Sequence, residues 1–213
     1  MKYQDKNADE IISNKFINHS SWHFFQSKSW LDLAKRTLQV SPLHYSAFEL
    51  RYGIEYLFFE LLVLTNKKLT ESDYKKCLGS PQKMDKMLKN HERPYKKLAR
   101  FTEIANSLIL NKPKFLYWDL SELFRYWGIA SELLHFVGAH IRTYESEGWI
   151  ISSIGRIETT VDTIWNKITN NLGVALYNPD LMIPPVKDIW LDYLNNKIND
   201  DSVRTRLFLI KPL

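Results

Sequence analysis

The chain has one cysteine in 213 residues, Cys77, so neither an intrachain disulfide nor a Cys-based zinc cluster can form. Its local run YKKCLGS offers no neighbouring base, and the expected role is an ordinary free thiol. Only seven glycines are present, with no GxGxxG and no GxxxxGK[ST], which excludes the familiar phosphate-cradling loops. Long hydrophobic runs are missing too. The greasiest stretch, Ile54–Leu64, is broken by Glu55 and Glu60 and is too short to cross a bilayer. The opening MKYQDKNADEII is charged, lacks an apolar core and is not expected to act as a secretory signal. No membrane association is expected, and the cytoplasm is the expected location.

Aromatic residues, by contrast, are plentiful: seven Trp, eleven Tyr and eleven Phe. They argue for large packed contacts and, through an apolar helix face, for a homodimer. Helical periodicity dominates the chain. It predicts helices over 20–40, over 42–65 with Ser41-Pro42 as a start signal, from Pro94 to about residue 110, over 120–142 and over 149–171 with Gly173 as C-cap. Residues 67–93 read as short helices and turns, broken at Gly79-Ser80-Pro81. The expected fold is all-α, a helical bundle of about five to seven helices. In this reading residues 1–173 form the bundle domain, and 174–213 are an irregular C-terminal extension packed on it. The extension is expected to hold one short helix near 187–195 and a strand or extended arm at Leu207-Phe-Leu-Ile210.

Charge is distributed unevenly. Between Lys67 and Arg100, eleven Lys/Arg face four acids, a balance of +7, so the rest of a chain of net charge +5 carries −2. Within that excess, Lys83, Lys86, Lys89, Arg93, Lys96, Lys97 and Arg100 are the candidate contacts for RNA or for an acidic partner protein.

Two polar patterns interrupt apolar helices. Arg125, Gly128, Glu132, His135 and Ala139 recur at i, i+3, i+7, i+10 and i+14 and therefore share one face of the 120–142 helix. Arg51 and Glu55 stand i, i+4 in the 42–65 helix and can pair. Glu132-Leu-Leu-His135 has the E-x-x-H spacing that di-metal bundles use twice, but no second copy exists, and neither a metal site nor a cofactor is expected.

The run Ser46-Ala-Phe-Glu-Leu-Arg-Tyr-Gly-Ile-Glu55 resembles the first long helix of HEPN-type domains, and Ser131-Glu-Leu-Leu-His135 resembles the helix bearing their C-terminal motif. The resemblance spans roughly 42–142. It implies a small helical bundle in a prokaryotic defence or toxin–antitoxin setting. Ribonucleases of that family carry Arg, four to six residues, then His; here Gly128, Ile129 and Ala130 fill the arginine positions before His135. Arg125 shares the face, yet ten helical residues put its Cα about 15 Å from that of His135. The resemblance therefore implies a non-catalytic or degenerate binding or regulatory module. Two alternatives stand beside it. One is a divergent metal-independent RNA endonuclease using His135, Glu132, Arg51, Glu55 and Arg125, with His135 as general acid or base and an arginine on the phosphate. The other is a nucleic-acid-binding protein working through residues 67–100.

Overall fold

A computed structural model describes residues 19–65, 81–109, 117–134, 146–170 and 176–210. Seven helices occupy them: α1 (Ser20–Thr37), α2 (Val40–Thr65), α3 (Pro81–Ser107), α4 (Leu120–Leu134), α5 (Glu147–Asn170), α6 (Pro184–Leu194) and α7 (Asp200–Leu209). No strand occurs among the described residues, and the protein is all-α. None of these helices is long and apolar enough to cross a membrane.

Helix ends follow local chemistry. Asp119 Oδ1 accepts the backbone N–H groups of Ser121 and Glu122 at 2.8 and 3.2 Å and so caps α4. Ser146 and Asn199 do the same for α5 and α7, through Trp149 N and Ser202 N. Pro184 and Pro185 open α6, where a missing N–H is harmless. Helix α2 begins at Val40, so Pro42 lies inside its first turn, again among N–H groups that have no helical acceptor.

The described residues divide into two compact units. The first holds residues 19–58, 118–134 and 146–170. There α1 and α4 pack against α5. Phe24, Leu31 and Ala34 of α1, Leu50 and Ile54 of α2, Leu123 and Ala130 of α4, and Ile157, Val161 and Ile164 of α5 are buried. The hydroxyls of Ser27 and Ser46 meet in this interior, each donating to the other's backbone carbonyl, at 2.8 and 2.9 Å, so neither is buried without a partner. Lys28–Asp162 and Lys35–Glu158 tie α1 to α5 at the margin.

The second unit holds residues 59–65, 81–109, 117 and 176–210. Leu98, Phe101 and Ile104 of α3 pack with Ile189, Trp190 and Tyr193 of α6 and Val203 of α7 into one core.

Two expectations are corrected. Residues 81–93 are not short helices and turns: α3 runs unbroken from Pro81 through Pro94. An interior proline costs about 3 kcal/mol of helix; burial of Tyr95, Leu98, Ala99 and Phe101 immediately after it offsets that cost. Nor does Leu207-Phe-Leu-Ile210 form a strand or arm, since Leu207–Leu209 close α7 and Ile210 follows it. Asn199 as N-cap, Asp200 and Asp201 in the first turn and Arg206 in the last favour a helix over the β propensity of that run. Residues 67–80 and Gly173 lie outside the described residues.

Candidate functional site

The polar stripe of α4 faces solvent as far as it is described. The side chain of Arg125 is 64% exposed and that of Glu132 63% exposed. A Cβ added at Gly128 would meet nothing within 4 Å. Glu132 accepts from Arg156 Nη2 of α5 at 2.5 Å. Arg125 lies over the Tyr126 ring at 4.7 Å and 3.9 Å from Glu122. His135 lies outside the described residues. Arg125 and Glu132 thus each engage a partner beyond the proposed cleft, and surface pairs of this kind contribute about 0–1 kcal/mol.

Arg51 and Glu55 do meet. Arg51 Nε donates to Glu55 Oε1 at 2.9 Å, and the same oxygen accepts from Trp127 Nε1 of α4 at 2.9 Å. The Arg51 guanidinium sits 5.0 Å from the centre of the Trp127 ring. Both donors meet the same carboxylate oxygen, and the cation engages that carboxylate and a π face. With side chains only 29% and 23% exposed, the pair is half-buried and fixes α2 against α4. Trp127 belongs to the packing face by periodicity, and its indole N–H as the third member was not legible from spacing.

The basic residues of α3 are arranged differently. At 3.6 residues per turn, Lys83, Lys86, Lys89, Arg93, Lys96, Lys97 and Arg100 fall within an arc of about 140°. Lys83, Lys86, Lys89, Arg93, Lys96 and Arg100 are exposed and Lys97 is half-buried. Two of the seven are built into the fold. Lys97 Nζ donates to the carbonyls of Tyr193 and Leu194 at 2.6 and 3.3 Å and to Asn196 Oδ1, closing the C-terminal end of α6. Burial lowers its pKa, the Arg93 charge lowers it further, and Asp200 opposes both. Arg100 donates from Nε to Asp200 Oδ2 at 2.7 Å and from Nη1 to Glu103 Oε2 at 2.6 Å, contacts that raise its pKa. Asp200 also accepts from the Tyr193 hydroxyl at 2.7 Å. That bond, then the one from Arg100, holds the carboxyl below its ordinary value, while burial and Asp200 push the Tyr193 phenol up. The sequence offered no sign of Asp200 and Tyr193 as partners of this face, because they lie about a hundred residues away.

A shallow depression of about 360 Å³ opens here, lined by Glu92, Arg93, Lys96, Lys97, Arg100 and Tyr193. Among the described residues no group of three His, Cys, Asp or Glu side chains is placed to hold a metal ion. The chain matches no protein-family model, no curated protein and no solved structure, so its own residues carry the functional argument.

Proposed function

We propose that the protein is a non-catalytic binding module that takes the phosphate backbone of nucleic acid, RNA foremost, along the basic face of α3. The observation that carries this reading is the gathering of seven cations on one arc of one helix. Five of them, Lys83, Lys86, Lys89, Arg93 and Lys96, are exposed and lie outside the Lys97 and Arg100 contacts that hold α6 and α7. The proposal retains the degenerate HEPN-like character and the prokaryotic defence or toxin–antitoxin setting that the resemblance implies. A catalytic cleft gains no comparable support, because the described contacts of Arg51, Glu55, Arg125 and Glu132 go to Trp127, Glu122, Tyr126 and Arg156.

Binding through phosphates releases counterions, so affinity must fall steeply with salt. Five neutralised phosphates predict a log–log slope of about −3.5 on single-stranded RNA. Fluorescence anisotropy with a labelled RNA across a salt series measures it. Salt-independent binding, or no binding at low salt, overturns the reading in favour of a protein partner. Incubating the purified protein with RNA tests the non-catalytic part: cleavage that disappears in His135→Ala would replace this proposal with the endonuclease alternative.

A further inference from the structure

We infer that the depression between α3 and α6 is a discrete seat for one phosphate group, held by Arg93 and Lys96 and completed by Arg100. The inference rests on the nucleic-acid reading for the identity of its natural ligand, but the seat itself follows from local chemistry. Four cations and one acid line the hollow, and Glu92 is engaged by Lys96 at 2.6 Å. Lys97 spends its donors on Tyr193, Leu194 and Asn196, so it lends charge to the hollow and not hydrogen bonds. Arg100 commits Nε and Nη1 to carboxylates, while its Nη2 donors have no acceptor among the described contacts. Arg93 is exposed and stands close enough to Lys97 to repel it, while Glu92, its neighbour in the hollow, is paired with Lys96.

Such an arrangement is electrostatically incomplete. The Arg93 guanidinium and the remaining Nη2 donors of Arg100 suit a phosphate's paired oxygens, and a guanidinium binds them in a way that a lysine ammonium does not reproduce. Asp200 plays a second part. By holding Arg100 through Nε it fixes the guanidinium plane at the edge of the hollow, so that an incoming phosphate meets a pre-oriented donor. The shared ligand chemistry is a phosphate oxyanion, whether part of a nucleic-acid backbone or free.

The test uses the full chain and two probes, inorganic phosphate and a labelled RNA. With inorganic phosphate, the arginine side-chain N–H resonances of Arg93 and Arg100 should shift together in NMR spectra, and chloride at equal ionic strength should not move them. In Arg93→Ala the phosphate-dependent shift of Arg100 should vanish. With RNA, Arg93→Ala should weaken binding about tenfold and lower the salt slope by about one. Arg93→Lys should recover the slope and only part of the affinity. Lys83→Ala, on the same face but outside the hollow, should lower the slope and leave the inorganic phosphate response intact. Phosphate shifts no larger than those with chloride overturn the seat, as does an Arg93→Ala protein, helical by circular dichroism, that binds RNA like the parent. If RNA fails to bind while phosphate still occupies the hollow, the seat stands and the nucleic-acid reading falls; the ligand is then a free phosphate or small phosphoester.

Discussion

Gly53 and Gly128 look alike in the sequence, each a glycine inside an apolar helix, but their surroundings assign them opposite behaviour. A Cβ at Gly53 would lie 2.6 and 2.7 Å from two carbons of the Phe24 ring, and Phe24 is fully buried. At Gly128 the same atom would meet nothing within 4 Å. Alanine in place of glycine in a helix is worth about 1 kcal/mol, whereas overpacking a close-packed core costs about 1–3 kcal/mol. Gly53→Ala should therefore lower the urea midpoint and Gly128→Ala should raise it, the latter by about 1 kcal/mol of stability. Equal responses would mean that α1 and α2 are not as close as the Phe24–Gly53 contact requires. The Glu55 carboxylate makes a similar case for reading side chains one at a time. Trp127→Phe keeps the ring under Arg51 and removes only the N–H donated to Glu55, a hydrogen bond to a charged, half-buried group. We expect a loss of about 1–2 kcal/mol, again by urea denaturation. The i, i+4 spacing made the Arg51–Glu55 pair legible in sequence; the indole 72 residues further on was not, because spacing carries no information across helices.

Among the elements, α7 shows how local signals compete. Its last residues are β-prone and largely exposed, Phe208 at 77% and Leu209 at 72%, and by propensity alone they read as a strand. The helix is decided at its other end, by the Asn199 cap and by Asp200 and Asp201 in the first turn. Those cues were present in the sequence as Asn-Asp-Asp-Ser. The continuity of α3 through Pro94 was not, since only packing of Tyr95, Leu98 and Phe101 makes it worthwhile. Asp200 links α7 to α3 through Arg100, and to α6 through Tyr193. Its depressed pKa sets the sign of a pH effect. A carboxyl more acidic in the folded protein than in the unfolded chain stabilises above the unfolded value, near pH 4, and that contribution is lost as pH falls through the folded value. Asp200→Asn should therefore melt below the parent at neutral pH, and the gap in Tm should shrink as pH is lowered below about 4. A gap that stays constant with pH would show that the carboxyl's charge contributes nothing to docking α7.

For the whole molecule, the placement of charge sets binding against stability, and the N-terminal end of α3 is where the two can be separated. Pro81 is the first helical residue, so Lys83 lies in the first turn and Lys86 follows in the second, while no acid occupies that first turn. A helix N-terminus carries a partial positive charge, and cations there cost about 0.3–1 kcal/mol where acids would contribute as much. A chain shaped by stability alone would favour acids at these positions. Replacing Lys83, Lys86 and Lys89 by glutamate changes the charge by −6, taking the protein from +5 to −1, with each substituted side chain on the exposed face. If the face exists for a polyanion, this variant should keep or raise its melting temperature, because carboxylates near the start of α3 would favour its N-terminal dipole, and should lose RNA binding at every salt concentration. Thermal denaturation and anisotropy on the same preparation give both readings. Retained RNA affinity in a folded variant would remove the basic face from the function. A fall in melting temperature of many degrees would mean that these lysines serve the fold, as Lys97 and Arg100 do at the other end of the same helix.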